Sequence, residues 1–320
     1  MTMTMRALCA MELLLLAAPF AVAADTPACR YVPVATVELR GDGALWQPLV
    51  DGTINGKAAV MLFDTGAYQS KLLKDSADKF GLSLLQTRGY SVGIGGVSSN
   101  YVAEVKDFSV GNAHSGKVNM SVLGNMGRRM PFDAIVGADF ALQMDLEISL
   151  AERKLKFYRA SDCDDTFLAY WSADAMEIPF GGTDTGHPTP RIIVDVNGTK
   201  LEAIIDTGAS ATGMTRAAAE RAGIRVGDAN VHTLGKSVGV GAKRIDTWQV
   251  EVDFTIGSET IRNANIGIHD DPPQGNNIGM PDMLIGADFL RAHRVLISMS
   301  QRRVYVSYLG GEVFRKRRIR

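Results

Sequence analysis

The tetrapeptide Asp-Thr-Gly-Ala occurs twice in this chain, at Asp64 to Ala67 and at Asp206 to Ala209, 142 residues apart. Its surroundings repeat with it. Asn55-Gly56 precedes the first copy and Asn197-Gly198 the second, at the same spacing. The helix-like stretches "SKLLKDSADKFGL" and "TRAAAERAGI" follow, with their glycines, Gly81 and Gly223, again 142 apart and placed as helix C-terminal caps. Further on, "SVGIGG" from Ser91 matches "SVGVGA" from Ser237, "DAIVGADF" from Asp133 matches "DMLIGADF" from Asp282, and Ile148 matches Ile297. The landmarks keep their order while the offset grows by a few residues, as loops of unequal length produce. A long period used twice indicates two homologous lobes, not a short-period solenoid. They run from about residue 34 to 158 and from 177 to 308, with 159–176 as the connection and 309–320 as a basic tail.

Within each lobe the apolar runs are short and bounded by Gly, Asn, Asp or Pro, which predicts a mostly β fold with one or two short helices per lobe. "KAAVMLF" and "KLEAII" each follow an Asn-Gly pair, the favoured sequence for a tight hairpin turn. With 46% hydrophobic and 22% charged residues the chain has the means to build a real core. Its net charge of -1 gives no bulk electrostatic reason to bind nucleic acid.

Residues 1–24 have the layout of a secretory signal peptide: Arg6, an apolar stretch around Leu13 to Leu16, and small residues at Ala21, Ala23 and Ala24. The expectation is an exported protein, periplasmic or secreted, with no integral membrane segment after cleavage. Cys9 leaves with that segment. Cys29 and Cys163 remain and are expected to form a disulfide in an oxidising compartment.

One Asp-Thr-Gly is a good turn sequence, and most such turns are only turns. Gly66 lets the backbone turn and approach another group closely, Thr65 offers a hydroxyl to hold the loop, and Asp64 is left at the end of a rigid apolar strand. The second copy changes the reading. If the lobes pack about a pseudo-two-fold axis, Asp64 and Asp206 meet across it. Two carboxylates in contact share a proton, one pKa rising and the other falling. The ionised member can then act as general base on a water and the protonated member as general acid to a carbonyl.

At these residues, and at Ile135-Val136-Gly137 and Leu284-Ile285-Gly286, the sequence resembles the retropepsin-like aspartic proteases within the wider pepsin-type group, and two-lobed secreted bacterial members above all. The resemblance covers nearly the whole mature chain. It implies two retropepsin-like β-barrel lobes with the site in the cleft between them, and an aspartic endopeptidase acting on peptide or protein with no cofactor and no metal. It implies catalytic roles for Asp64 and Asp206. Thr65 and Thr207 would cross-link the two loops, Gly66 and Gly208 would make the turns, and Ala67 and Ala209 stand where many pepsins have serine. Lacking that hydroxyl, the carboxylates lose a donor that favours the charged form, so a less acidic pH optimum is expected. Glycine-rich hairpins over the cleft would be "GYSVGIGGVSSNYV", with Tyr90, Gly93 and Gly95, and "GKSVGVGAKRIDTW", with Gly239 and Gly241. After the alanines the lobes diverge: Ser210 is small and polar, whereas Tyr68 is bulky and either narrows a subsite or packs near Lys71. A two-lobed chain needs no second copy, so a monomer is expected. The alternative is a protease-shaped, non-catalytic peptide-binding module of the cell envelope.

Asp139 and Asp288 recur in "GADF" and are expected to cap the short helical turns that follow. The five histidines show no metal-ligand spacing.

Overall fold

The computed structural model describes residues 28–40, 47–93, 96–124, 129–183, 188–238, 244–270 and 279–314; the expected signal peptide, Gly95, Gly239, Gly241 and the tail from Arg315 lie outside them. The first half contains β1 Arg30–Glu38, β2 Leu49–Ile54, β3 Lys57–Phe63, β4 Lys71–Leu73, α1 Lys74–Phe80, β5 Leu85–Gly93, β6 Gly96–Val105, β7 Phe108–Val110, β8 Ala113–His114, β9 Val118–Leu123, β10 Ala134–Val136, α2 Ala138–Ala141, β11 Asp145–Ser149 and β12 Lys154–Ser161. The second contains β13 Met176–Pro179, β14 Ile192–Val196, β15 Thr199–Ile205, β16 Gly213–Thr215, α3 Arg216–Arg221, β17 Val231–Val238, β18 Arg244–Ile256, β19 Glu259–His269, β20 Met283–Ile285, α4 Ala287–Leu290, β21 His293–Ser298 and β22 Arg303–Tyr308. The protein is mostly β and built as two lobes, as the repeat requires.

The hairpin β2–β3 turns at Asn55 (φ 52°) and Gly56 (φ 74°), and β14–β15 turns at Asn197 (φ 51°) and Gly198 (φ 84°). Two successive positive φ values make the turn whose twist matches the flanking strands, which is why both copies carry Asn-Gly. Lobe 1 then forms one sheet in the order β5-β6-β9-β4-β10-β3-β2-β7-β8, and lobe 2 one in the order β14-β15-β20-β16-β19-β18-β17, with β14 also pairing β18 and closing it. Along β3, Ala59, Met61 and Phe63 enter the main core, while Leu62 joins a smaller cluster on the other face with Leu73, Leu123 and Ile135. That is the period-2 alternation of a strand covered on both sides.

The segment "SKLLKDSADKFGL" is helical only in its second part. Lys71–Leu73 form β4, because Leu72 and Leu73 find buried places between β10 and β9 that a helix could not offer them. The helix that follows ends, as expected, on Gly81 in the left-handed conformation (φ 67°).

A third sheet joins the lobes in the order β1-β12-β11-β21-β22-β13. At its seam Leu146 pairs with Ile297 and Ile148 with Val295. Exchanging the repeats turns each of these pairs into the other, so the pseudo-two-fold axis passes through the seam. Cys29 and Cys163 are disulfide-bonded with Cα atoms 4.5 Å apart. Cys163, Leu168, Ala169 and Ala175 of the connection pack on Leu296 and Tyr305 of this sheet. Among the described residues no helix is long and apolar enough to cross a membrane.

Candidate active site

Each Asp-Thr-Gly-Ala loop leaves the end of an apolar strand and is braced by the later repeat element. Strand β3 runs parallel to β10, and β15 parallel to β20. The Asp64 N–H donates to Val136 O and the Asp206 N–H to Ile285 O, both at 2.9 Å, so each aspartate prolongs its strand by one residue. Beyond the turn, Ala138 N donates to Ala67 O (2.7 Å) and Ala287 N to Ala209 O (2.8 Å). The backbone comes so close here that a Cβ on Gly137 would lie 2.5 Å from the carbonyl carbon of Gln69, and one on Gly286 2.6 Å from that of Ala211. Glycine in both apolar-apolar-Gly elements is therefore a packing requirement.

The threonines tie the loops together across the pseudo-two-fold axis. Thr65 Oγ1 donates to Ile205 O at 2.6 Å and accepts from the Thr207 N–H at 3.1 Å. Thr207 Oγ1 donates to Phe63 O at 2.6 Å and accepts from the Thr65 N–H at 3.1 Å. Both threonines are fully buried. Two further cross-links come from the approaches to β2 and β14: Gln47 Nε2 donates to Gly208 O (3.0 Å) and Thr189 Oγ1 to Thr65 O (2.8 Å).

This frame sets the two carboxyl groups against each other. Asp64 Oδ1 accepts from the N–H groups of Gly66 and Ala67, both at 3.0 Å. Asp206 Oδ1 accepts from Gly208 (2.9 Å) and Ala209 (3.0 Å). A Cβ on Gly66 would lie 2.4 Å from Asp206 Cγ, and one on Gly208 2.3 Å from Asp64 Cγ. Each carboxyl thus rests on the opposite loop's glycine. Burial raises the pKa of both. For Asp206, the Asp64 charge and their mutual hydrogen bond add to burial and lift it well above the usual carboxylate range. For Asp64, the bond from Asp206 and those from Ala67 and Gly66 oppose burial. The two carboxyls therefore hold one proton between them, and of the two Asp206 is the more strongly raised.

The structure corrects the reading of Asp139 and extends that of Asp288. Helices α2 and α4 begin at Gly137 and Gly286 without a side-chain cap. Asp139 Oδ1 instead accepts from Ser70 N and Ser70 Oγ, both at 2.7 Å, and Ser70 Oγ accepts from Gly137 N (3.0 Å). Asp288 Oδ1 makes the same contacts to Thr212, at 2.8 Å and 2.6 Å, and Thr212 Oγ1 accepts from Gly286 N (3.0 Å). Backbone groups that must turn past a parallel strand end are satisfied here, and Asp288 Oδ1 also accepts from the Phe289 N–H in the first turn of α4 at 2.9 Å. Tyr68 reaches out of its own lobe: its hydroxyl donates to Gly279 O at 2.7 Å in lobe 2, where the Arg191 guanidinium also donates. Arg191, Thr189 and Gly279 line a cavity of about 470 Å³. Ser210 is exposed. The hairpins β5–β6 and β17–β18 are both present; Gly93 pairs with Gly96 at one tip, and Tyr90 lies exposed on β5.

Sequence reading missed Gln47, Thr189, Arg191 and the true partners of Asp139 and Asp288. The last pair had a signal: hydroxyls at Ser70 and Thr212 recur at the 142-residue offset of the Asp-Thr-Gly-Ala loops, as the aspartates recur in the two "GADF" stretches. Gln47 and Thr189 are equivalent in position but differ in residue type, so no identity marks them.

A family model described as "Aspartyl protease" matches this chain twice, over residues 50–140 and 192–289. Protein DDI1 homolog 1 of Homo sapiens is 31% identical over 124 residues, which cover 37% of this chain and 28% of the human protein. The chain thus matches little more than a quarter of that relative's length.

Proposed function

The chain belongs to the aspartyl protease family, and on that premise we propose that it is an aspartic endopeptidase whose catalytic residues are Asp64 and Asp206. The observation that carries the proposal is the pair of carboxyl groups held face to face across a hydroxyl-bonded frame, with unequal affinity for one proton. Asp64, charged, takes a proton from a water as its oxygen attacks the scissile carbonyl carbon. Asp206 gives its proton to the carbonyl oxygen, and a tetrahedral diol results. The proton held by Asp64 then passes to the amide nitrogen, the C–N bond breaks, and a diol proton returns to Asp206. The protein supplies position and proton affinity, and no side chain becomes covalently bonded.

Activity needs one proton on the pair. It falls when acid protonates Asp64 and when base removes the proton from Asp206. Burial raises both limits, and Ala67 and Ala209 offer no side-chain hydroxyl to lower them, so the pH optimum lies above that of strongly acid proteases. The Cys29–Cys163 bond supports an oxidising, exported setting, as does the leader-like start of the chain. The test is incubation with a mixed peptide library over a pH series, with and without a statine-type inhibitor. Inhibitable cleavage, lost in both Asp64→Asn and Asp206→Asn, is the expected result. Binding without cleavage at every pH would leave a peptide-binding module instead, and a maximum in extreme acid would contradict the account of the pair.

A further inference from the structure

Beside Asp64 the two lobes differ in charge. Leu62 and Asp64 project from one face of the β3 line, opposite to the core residues Met61 and Phe63. Leu62 is paired with Ile135 of β10, and Ile135 with Lys71 of β4. Directly paired residues share a face, so Leu62, Ile135 and Lys71 form a row across the Asp64 face of the sheet, while Leu72 turns into the core. The row continues to Ser121 of β9. In lobe 2 the equivalent row is Ile204, Leu284, Gly213 and Gly267, where glycines stand in place of Lys71 and Ser121.

Lys71 is half-buried, and its ammonium donates to Ser91 Oγ at 2.9 Å; Ser91 in turn donates to Asn100 Oδ1 at 2.9 Å. Ser91 lies on β5 and Asn100 on β6, the two arms of the lobe 1 hairpin expected to cover substrate. The ammonium is thus fixed between the Asp64 face and that hairpin by a neutral hydroxyl. Among the described residues no carboxylate lies within ion-pair distance of it; Asp139, the acid that acts on it electrostatically, is engaged by Ser70. Partial burial lowers the Lys71 pKa, and Asp139 opposes that shift. A half-buried cation with donor capacity left over is the arrangement that rewards a carboxylate partner.

We propose that Lys71 is a specificity residue that binds an acidic side chain of the substrate, Asp or Glu, on the lobe 1 side of the cleft. This rests on the reading of the cleft as a peptide site and adds the class of peptide it prefers. The glycines of the lobe 2 row offer no counterpart, so the preference is one-sided: an acidic residue is favoured at one position of the bound peptide and not at its pseudo-symmetric mate. A neutral amide at that position leaves the Lys71 charge desolvated without a new partner, which is where discrimination arises.

The experiment uses the full chain and peptide pairs that differ only by Asp against Asn, or Glu against Gln, scanned through successive positions. Cleavage is followed by mass spectrometry and binding by fluorescence anisotropy. At one position the acid should be favoured by about tenfold or more in kcat/KM. Lys71→Gln should remove that ratio, and Lys71→Glu should shift the preference to Lys or Arg. Ratios are taken within each variant, so a loss of total activity does not affect them, and thermal unfolding checks the fold. Cleavage with no acid preference at any position, or a preference that survives Lys71→Gln, overturns the role of Lys71 and leaves the protease reading intact. Acid-selective binding without cleavage overturns the protease reading and leaves Lys71. Neither binding nor cleavage overturns both.

Discussion

Replacing Thr65 by valine tests the frame that holds the two carboxyl groups. Valine keeps the shape of threonine and removes only the hydroxyl, so no cavity forms. Two buried groups then lose their partner: the Ile205 carbonyl, which accepted at 2.6 Å, and the Thr207 N–H, which donated at 3.1 Å. The site is fully buried, so water cannot replace the hydroxyl. A buried polar group left unsatisfied costs about 1–3 kcal/mol, so the pair costs about 2–6 kcal/mol. That is a large part of a typical folding stability of about 5–15 kcal/mol. Thr207→Val strands the Phe63 carbonyl and the Thr65 N–H at matching distances, and its cost should agree with that of Thr65→Val to within about 1 kcal/mol. Thr65→Ser keeps both bonds and loses one methyl, a cost of about 1 kcal/mol. Urea unfolding at neutral pH, disulfide intact, with fluorescence and circular dichroism read together, measures all three; the midpoint should move while the slope stays fixed. A cost below about 1 kcal/mol for Thr65→Val, or a serine variant as unstable as the valine one, would refute the account of the hydroxyls as the tie between lobes.

Three further outcomes follow from the same geometry. The folded-state pKa of Asp206 is raised, so its contribution to stability is full below its unfolded value near 3.8 and is lost as pH rises through the folded value. Asp206→Asn should therefore be more stable than the parent at neutral pH and lose that advantage on acidification; a gap independent of pH in urea unfolding would count against the shared proton. The Cys29–Cys163 bond closes a loop of 134 residues, worth up to about 5 kcal/mol by chain entropy, so Cys29→Ser should lower the unfolding midpoint sharply, and an unchanged midpoint would contradict it. Gly208→Ala places a methyl 2.3 Å from Asp64 Cγ and must displace that carboxyl; cleavage should fall about a hundredfold or more, and near-normal turnover would mean that the position of Asp64 is not critical.

The repeat made the two lobes, the hairpin turns and the pairing of Asp64 with Asp206 readable in advance, because each depends on residue types that few others can replace. Asn-Gly marks two positive φ values, and a glycine pressed on a carboxyl admits no Cβ. Where the requirement is only for some hydrogen-bond donor, the sequence is silent: Gln47 and Thr189 stand at equivalent positions and reach different carbonyls of the opposite loop, Gly208 O and Thr65 O, with different chemistry. Asp139 and Asp288 were visible but only partly placed, since a helix start and a strand crossing both call for an acceptor: Asp139 serves Ser70, and Asp288 serves both Thr212 and the first turn of α4. The same logic bears on the residues that break the repeat. An identity kept in both lobes serves the axis they share; a difference serves whatever lies asymmetrically across it, and a peptide chain, having direction, is asymmetric. Tyr68 against Ser210, and Lys71 against Gly213, are differences of that kind within one loop and the strand that follows it. Tyr68 reaches across to Gly279 and so couples the lobes on one side only, while Lys71 puts a positive charge on the face that bears Asp64 and has no counterpart on the face that bears Asp206. Symmetry thus builds the proton-sharing pair, and its breaking gives the cleft two unlike ends.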